Sequence, residues 1–220
     1  MRSWVLLLSA ATAWGAGGWE ESTRYQISWP SGLGLGEGQL TAKKDSGQWK
    51  FALMLEAAIP GFKVVDTFRS TATAGLCSVE FSKDSVHGAR KRQEKTTFAG
   101  TMATRTTEAG GGKTEFAVPA CAHDALAYLF FVRQELAAGR TPGPQRIFFG
   151  AAYDIRLNRV GGERITIAEV PTDTEHFKAT LVGPKSRWEF DLYFAKDEAR
   201  TLALVKVPFV MGSFALEWVR

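Results

Sequence analysis

Apart from its first residues, this sequence alternates apolar and polar side chains at period two and breaks that alternation for one helix-length stretch in the middle. A period of two sends successive side chains to opposite faces of an extended strand, so the pattern demands a sheet with one buried face. "TRYQISWP" sets Tyr25, Ile27 and Trp29 against polar neighbours, and "RWEFDLYFA" sets Trp188, Phe190, Leu192 and Phe194 against Glu189, Asp191 and Tyr193. "GQLTAKK" and "WKFALMLEA" flank "DSGQ", a hairpin in which Gly47 supplies the positive φ of a tight turn. "FKVVDTFRSTATA", "LCSVEFSKD", "ARKRQEKTTF" and "MATRTTE" follow, punctuated by Gly75, "DSVHG" and "AGGGK". The second half gives "QRIFFGAAYDIRLNRV", a turn at Gly161 and Gly162, and then "ERITIAEV", "HFKATLVG", "LALVKVPFV" and "SFALEWV".

The interruption runs from Ala122 to Ala138, where Ala125, Leu126, Leu129, Val132, Arg133 and Leu136 recur at spacings of three and four. Gly139 stands where a helix stops, with "RTPGP" beyond it, and Phe130 and Phe131 widen the apolar surface so that the helix packs on more than one side. The expected fold is mainly β: a large curved antiparallel sheet, or partly closed barrel, of about a dozen strands with one central helix over residues 122–138. A chain of 220 residues supports one such domain, here residues 18–220.

Residues 1–17 read as a cleavable secretory signal: Arg2, an apolar run from Trp4 to about Ala11, then small residues. The run is too short to span a bilayer, which takes about 20 apolar residues, and no later segment approaches that length without charges. No cysteine follows the leader to accept a lipid, so the expected location is periplasmic or secreted. Cys77 and Cys121 are the only cysteines, and in an oxidising compartment the expected state is a disulfide between them.

The net charge is +4, which reads first as solubility with no specific partner; an anionic lipid or polysaccharide is the candidate opposite charge in a secreted protein, with no nucleic-acid partner expected. Arg90, Lys91, Arg92 and Lys95 gather in "ARKRQEK", which reads as a solvated or edge strand that resists edge pairing by charge, and as a candidate patch for an anionic partner.

Several signatures of chemistry fail on spacing. "GLGLGEG" misses the G-x-G-x-x-G spacing of a dinucleotide loop and leads into a strand, so it reads as a glycine-rich bend or bulge. "GGGKT" lacks the earlier glycine of a phosphate loop, where Thr107 stands instead. His87, His123 and His176 lie far apart and form no zinc signature, and no G-x-S-x-G is present. Neither a metal nor a cofactor is expected.

Cys121, His123 and Asp124 crowd into four positions at the helix start. A Cys-His-Asp hydrolase needs a free thiolate and a base within hydrogen-bond reach. With Cys77 available as a partner, and with a carboxylate favoured at the positive end of a helix, the cluster reads as a disulfide followed by a helix start.

"CAHDALAYLFFVRQEL" resembles the helix signature of the bacterial secreted family called domain of unknown function 3108, with Asp124, Leu126, Tyr128, Phe131 and Arg133 at the matching positions. "YQISW" with "GLGLGEGQL", "FGAAYDIRL", and the closing "FAKDEARTLALVKVPFVMGSFALEWV" agree in order, the last through Asp197, Arg200 and Gly212; Leu202 departs from the proline that commonly follows that Arg. The resemblance implies a β-rich fold and the bacterial envelope, and brings no catalytic residues with it. Asp124, Arg133, Asp197 and Arg200 are its candidate functional or structural motif.

With 15 Phe and 7 Trp and no catalytic motif, the expectation is a non-enzymatic envelope protein that holds an apolar or amphipathic molecule, a lipid or lipid-linked glycan, between sheet and helix. The alternatives are an enzyme acting on cell-wall or lipid material, through His123, Asp124 or the pair Asp197 and Arg200, and a structural component that binds another envelope protein.

Overall fold

The computed structural model describes residues 20–59, 62–108, 111–209 and 212–220. The leader reading at residues 1–17 lies outside them. Fifteen strands form one sheet: β1 (Glu20–Ser28), β2 (Gly34–Asp45), β3 (Gln48–Ile59), β4 (Phe62–Ala72), β5 (Ser78–His87), β6 (Arg90–Ala99), β7 (Met102–Thr107), β8 (Gly112–Ala117), β9 (His123–Asp124), β10 (Gln145–Phe148), β11 (Ala152–Ile167), β12 (Val170–Val182), β13 (Arg187–Ala195), β14 (Leu202–Phe209) and β15 (Gly212–Val219). The one helix among the described residues, α1 (Ala125–Ala137), sits between β9 and β10.

The strand order is 8-7-6-5-4-3-2-1-15-14-13-12-11-10-9, so β1 and β15 lie side by side in the middle of the sheet and the two halves meander outward from that pair. All pairings are antiparallel except β9 with β10. No ladder joins the outer strands, yet they approach each other. Phe148 of β10 meets Phe98 of β6 and Phe116 of β8 at 5.8 and 5.7 Å between ring centroids, and Arg105 donates to the carbonyl of Gly150.

The curl has local causes. Long strands twist, and extra residues at Ile27/Ser28, Thr71/Ala72, Arg159/Gly161 and Tyr193/Phe194 shift register and bend the sheet further. The glycine-rich stretch begins in the β1–β2 turn, where Gly32 takes φ 83°, and continues from Gly34 into β2. At Gly36 a Cβ would lie 1.9 Å from the Glu56 carbonyl oxygen, an approach open to glycine alone.

The helix lies inside the curl and is apolar on two sides. Leu126, Ala127 and Phe130 pack with Tyr25, Leu40 and Phe51 of the first half. Tyr128, Val132 and Leu136 pack with Ile147, Ile155 and Phe177 of the second.

The structure changes three local expectations. The helix begins at Ala125 rather than Ala122, because the backbone of His123 and Asp124 is extended alongside Ile147 and Phe148. β11 runs through Gly161 and Gly162 without turning: Gly161 (φ 157°) takes up a bulge, and the turn falls at Ala168 and Glu169, both with positive φ. The described residues form fifteen strands, the additions being β8 and the two-residue β9; "QRIFFGAAYDIRLNRV" divides into β10 and β11, and β11 also takes in "ERITI".

Candidate functional site: an apolar cavity beside the helix

Both ends of α1 are fixed by groups named from the sequence. Asp124 is wholly buried and caps the helix: its Oδ1 accepts from the backbone N–H of Leu126 (2.9 Å) and Ala127 (3.1 Å). Its Oδ2 accepts from the hydroxyls of Ser70 (2.7 Å) and Ser78 (2.6 Å), and its own N–H donates to Ser78 Oγ. Burial pushes the Asp124 carboxyl above the ordinary aspartate range, against the downward pull of these hydrogen bonds.

Next to this network Cys77 and Cys121 are joined in a disulfide, with 4.8 Å between their Cα atoms. Cys121 therefore has no thiolate to offer. His123 stacks on Phe131 at 4.9 Å between ring centroids, and its Nε2 is buried without a hydrogen-bond partner. Desolvation lowers its pKa and favours the neutral ring. These three residues are neighbours in sequence with three separate structural situations, and they do not assemble a triad.

Arg133 stands nine residues after Asp124, about 13 Å along the axis at 1.5 Å per residue. It is buried, grips both oxygens of Glu21, donates through Nε to the carbonyl of Ala199 (2.9 Å) and lies over the Phe130 ring. Ala199 belongs to the β13–β14 turn, which also holds Asp197 and Arg200. Asp197 Oδ1 accepts from the Thr201 N–H (2.8 Å), and Arg200 (φ 50°) approaches Glu175 at 3.8 Å. Arg133, Asp197 and Arg200 are thus brought together where the helix meets that turn, and Asp124 is not among them. The helix closes with a Schellman arrangement, Arg140 N–H to Glu135 C=O and Gly139 N–H to Leu136 C=O, for which Gly139 takes φ 73°.

The basic cluster lies in the other half of the sheet. β6 is an interior strand; among the described residues Arg90, Lys91 and Arg92 pair with β5 and not with β7. Arg92 contacts Glu94 and Lys95 reaches Glu80 at 2.8 Å, leaving Arg90 and Lys91 as the solvated pair.

No residue of these candidate sets lines the most apolar cavity of the molecule's second half. Between α1 and β10–β13 lies a cavity of about 430 Å³ whose lining side chains are all aliphatic or aromatic. The helix contributes Ala125, Tyr128, Leu129 and Val132, and the sheet contributes alternate residues of β11 and β13. Along β13 exposure falls from 52% at Trp188, through partly buried Phe190 and Leu192, to 0% at Phe194. One strand therefore runs from mouth to floor. The period-two pattern of "RWEFDLYFA" identified this face as apolar, but whether the helix would fill the space in front of it is a matter of tertiary placement.

Among the described residues no group of His, Cys, Asp or Glu is arranged to hold a metal, and no helix is long and apolar enough to cross a membrane.

The model of the family described as "Protein of unknown function (DUF3108)" matches residues 24–219, and the chain belongs to that family. No curated protein matches it. Among solved structures it is similar to the crystal structure of a beta-barrel-like protein of domain of unknown function DUF1849 from Brucella abortus, with a TM-score of 0.64 at 6% sequence identity. The match covers 91% of this chain and 95% of the other. At that identity the likeness concerns the fold, and it agrees with a curled sheet approaching a barrel.

Proposed function

We propose that this DUF3108 protein is a non-enzymatic component of the bacterial periplasm that holds an apolar or amphipathic molecule, such as a lipid or the lipid part of a lipid-linked glycan, between α1 and β10–β13. The observation that carries the reading is the cavity itself: about 430 Å³, lined throughout by apolar and aromatic side chains, and opening at a half-exposed Trp188. Ligand pockets run from about 300 to 1,000 Å³ and are mostly apolar, so its size and lining are those of a binding site. The only side-chain polar atoms on its lining residues are the tyrosine hydroxyls of Tyr128 and Tyr153 and the indole nitrogen of Trp188, too few to recognise a glycan through its hydroxyls.

The periplasmic placement rests on the leader pattern of residues 1–17 and on the Cys77–Cys121 bond, since such bonds persist in oxidising compartments. Osmotic-shock fractionation of cells expressing the full chain tests it: recovery of an uncleaved chain in the cytoplasm sinks the placement.

Binding is tested by native mass spectrometry of protein purified from bacterial envelopes, with organic extraction of whatever is bound. The expected result is a stoichiometric hydrocarbon-bearing ligand, lost in the cavity-filling variant Ala125→Trp. A ligand retained unchanged by that variant, or none in either protein, overturns the reading.

A further inference from the structure

We infer that the occupant of this cavity is a single-chain amphiphile with an anionic headgroup, its chain directed toward Phe194 and its headgroup at the tip of the β12–β13 hairpin beside Lys185 and Arg187. The inference rests on the cavity reading and adds the occupant's charge and direction.

Three features place that tip at the mouth. Leu181 and Trp188, directly paired across β12 and β13, both line the cavity, and the next pair outward is Val182 with Arg187. The turn closes immediately beyond, with Gly183 N–H donating to the Ser186 carbonyl at 2.8 Å. Gly183 also lies against the ring of Tyr153, a lining residue: a Cβ there would stand 2.4 Å from Tyr153 Cε1.

The chemistry changes abruptly at this boundary. Inside, the walls are hydrocarbon and aromatic rings. Outside, Lys185 and Arg187 are exposed, flanked by Val182 at 45% exposure and Trp188. Arg187 is paired with Glu189 at 2.6 Å, and on the neighbouring strands Arg146 is paired with Asp154 at 2.8 Å. Lys185 makes no ion pair with any described residue, which leaves the rim with an uncompensated positive charge. An indole between an apolar interior and a basic, wet rim suits the junction of a chain with its polar head. The cavity's volume, at the low end for ligand sites, and the hydrocarbon side chains of Leu192 and Phe194 at its inner end favour one chain entering tail first.

The test compares three probes, each with a 16-carbon chain, by isothermal titration below their micellar concentrations: palmitate, lysophosphatidylglycerol and lysophosphatidylcholine. Binding of the two anionic probes is expected to be about tenfold tighter than that of the zwitterionic one at low salt, with the margin shrinking at high salt. In the doubly substituted Lys185→Glu, Arg187→Glu protein, checked for an unchanged melting profile, the margin is expected to vanish through lost affinity for the two anionic probes. Tight binding of only one anionic probe supports the inference and identifies the headgroup as carboxylate or phosphate. Equal binding of all three probes, unaffected by charge reversal, overturns the inference and leaves the apolar cavity reading standing. No binding of any probe overturns both.

Discussion

Across 112 residues of sequence, the guanidinium of Arg133 meets the carboxylate of Glu21 with two parallel hydrogen bonds, 3.0 Å to Oε1 and 2.9 Å to Oε2. The pair joins the helix to the strand at the centre of the sheet, and Thr23 Oγ1 donates to the same carboxylate. Both groups are largely shielded from water, so removing one leaves the other a buried charge. Arg133→Met should lower unfolding free energy by about 3–5 kcal/mol, read from urea titration. Glu21→Leu combined with Arg133→Met should recover most of that loss, because an apolar pair leaves no orphan. A double variant as unstable as the single one would mean that the ion pair is not the source of the cost.

That pair also shows where sequence reasoning stops. The helix, its glycine stop and the disulfide were legible because each depends on neighbouring residues or on there being only two cysteines. Nothing local to Arg133 points to Glu21. The turn at Ala168 and Glu169 was hidden for a different reason: neither residue is a usual bearer of positive φ, whereas Gly161 and Gly162 advertised a turn and served a bulge. The apolar face of β13 could be read in full. The emptiness in front of it depends on how α1 sits between the two halves, which period-two patterning does not encode.

Asp124 is expected to be a stability determinant with an identifiable pH signature. Asp124→Ala removes a helix cap, about 1–2 kcal/mol, and leaves the Ser70 and Ser78 hydroxyls without their acceptor, about 1–3 kcal/mol more. Asp124→Asn retains a capping oxygen and should cost less. Because the folded-state pKa is raised above the ordinary 3.8, the folded protein favours the protonated carboxyl. The contribution is full below 3.8 and is lost as pH rises through the elevated value. Wild type should therefore gain stability relative to Asp124→Asn as pH falls through that window in parallel denaturant titrations. A difference that shrinks on acidification contradicts the assignment.

The bond between Cys77 and Cys121 closes a loop over a sequence separation of 44. In the chain-entropy account such a loop is worth about 4 kcal/mol. Cys77→Ala with Cys121→Ala should lose up to that amount while keeping a native near-ultraviolet spectrum. The spectrum should persist because Asp124 and the Ser78 N–H to Ala122 C=O bond still hold the helix start to β5. Dithiothreitol should destabilise the wild type and leave the double variant unchanged; an equal effect on both would show that the reductant acts elsewhere.

The sharpest expectation concerns the four alternate residues of β13 that descend from the cavity mouth. Phe194 has no exposure and packs with Phe177 at 6.0 Å between centroids, so Phe194→Ala should cost about 3–5 kcal/mol of stability. Trp188 is half exposed at the rim, and Trp188→Ala should change stability by less than about 1 kcal/mol. Phe190→Ala and Leu192→Ala should fall between them. Ligand affinity separates from stability along the same strand: Trp188→Ala removes rim surface that a bound chain would cover and should weaken binding of a 16-carbon amphiphile by about tenfold. A purely structural strand would show the gradient in stability without the loss of binding at its exposed end. Urea titration of the four variants, paired with calorimetric titration of Trp188→Ala, distinguishes the two. A Trp188→Ala protein that binds as tightly as wild type would remove the mouth from the site.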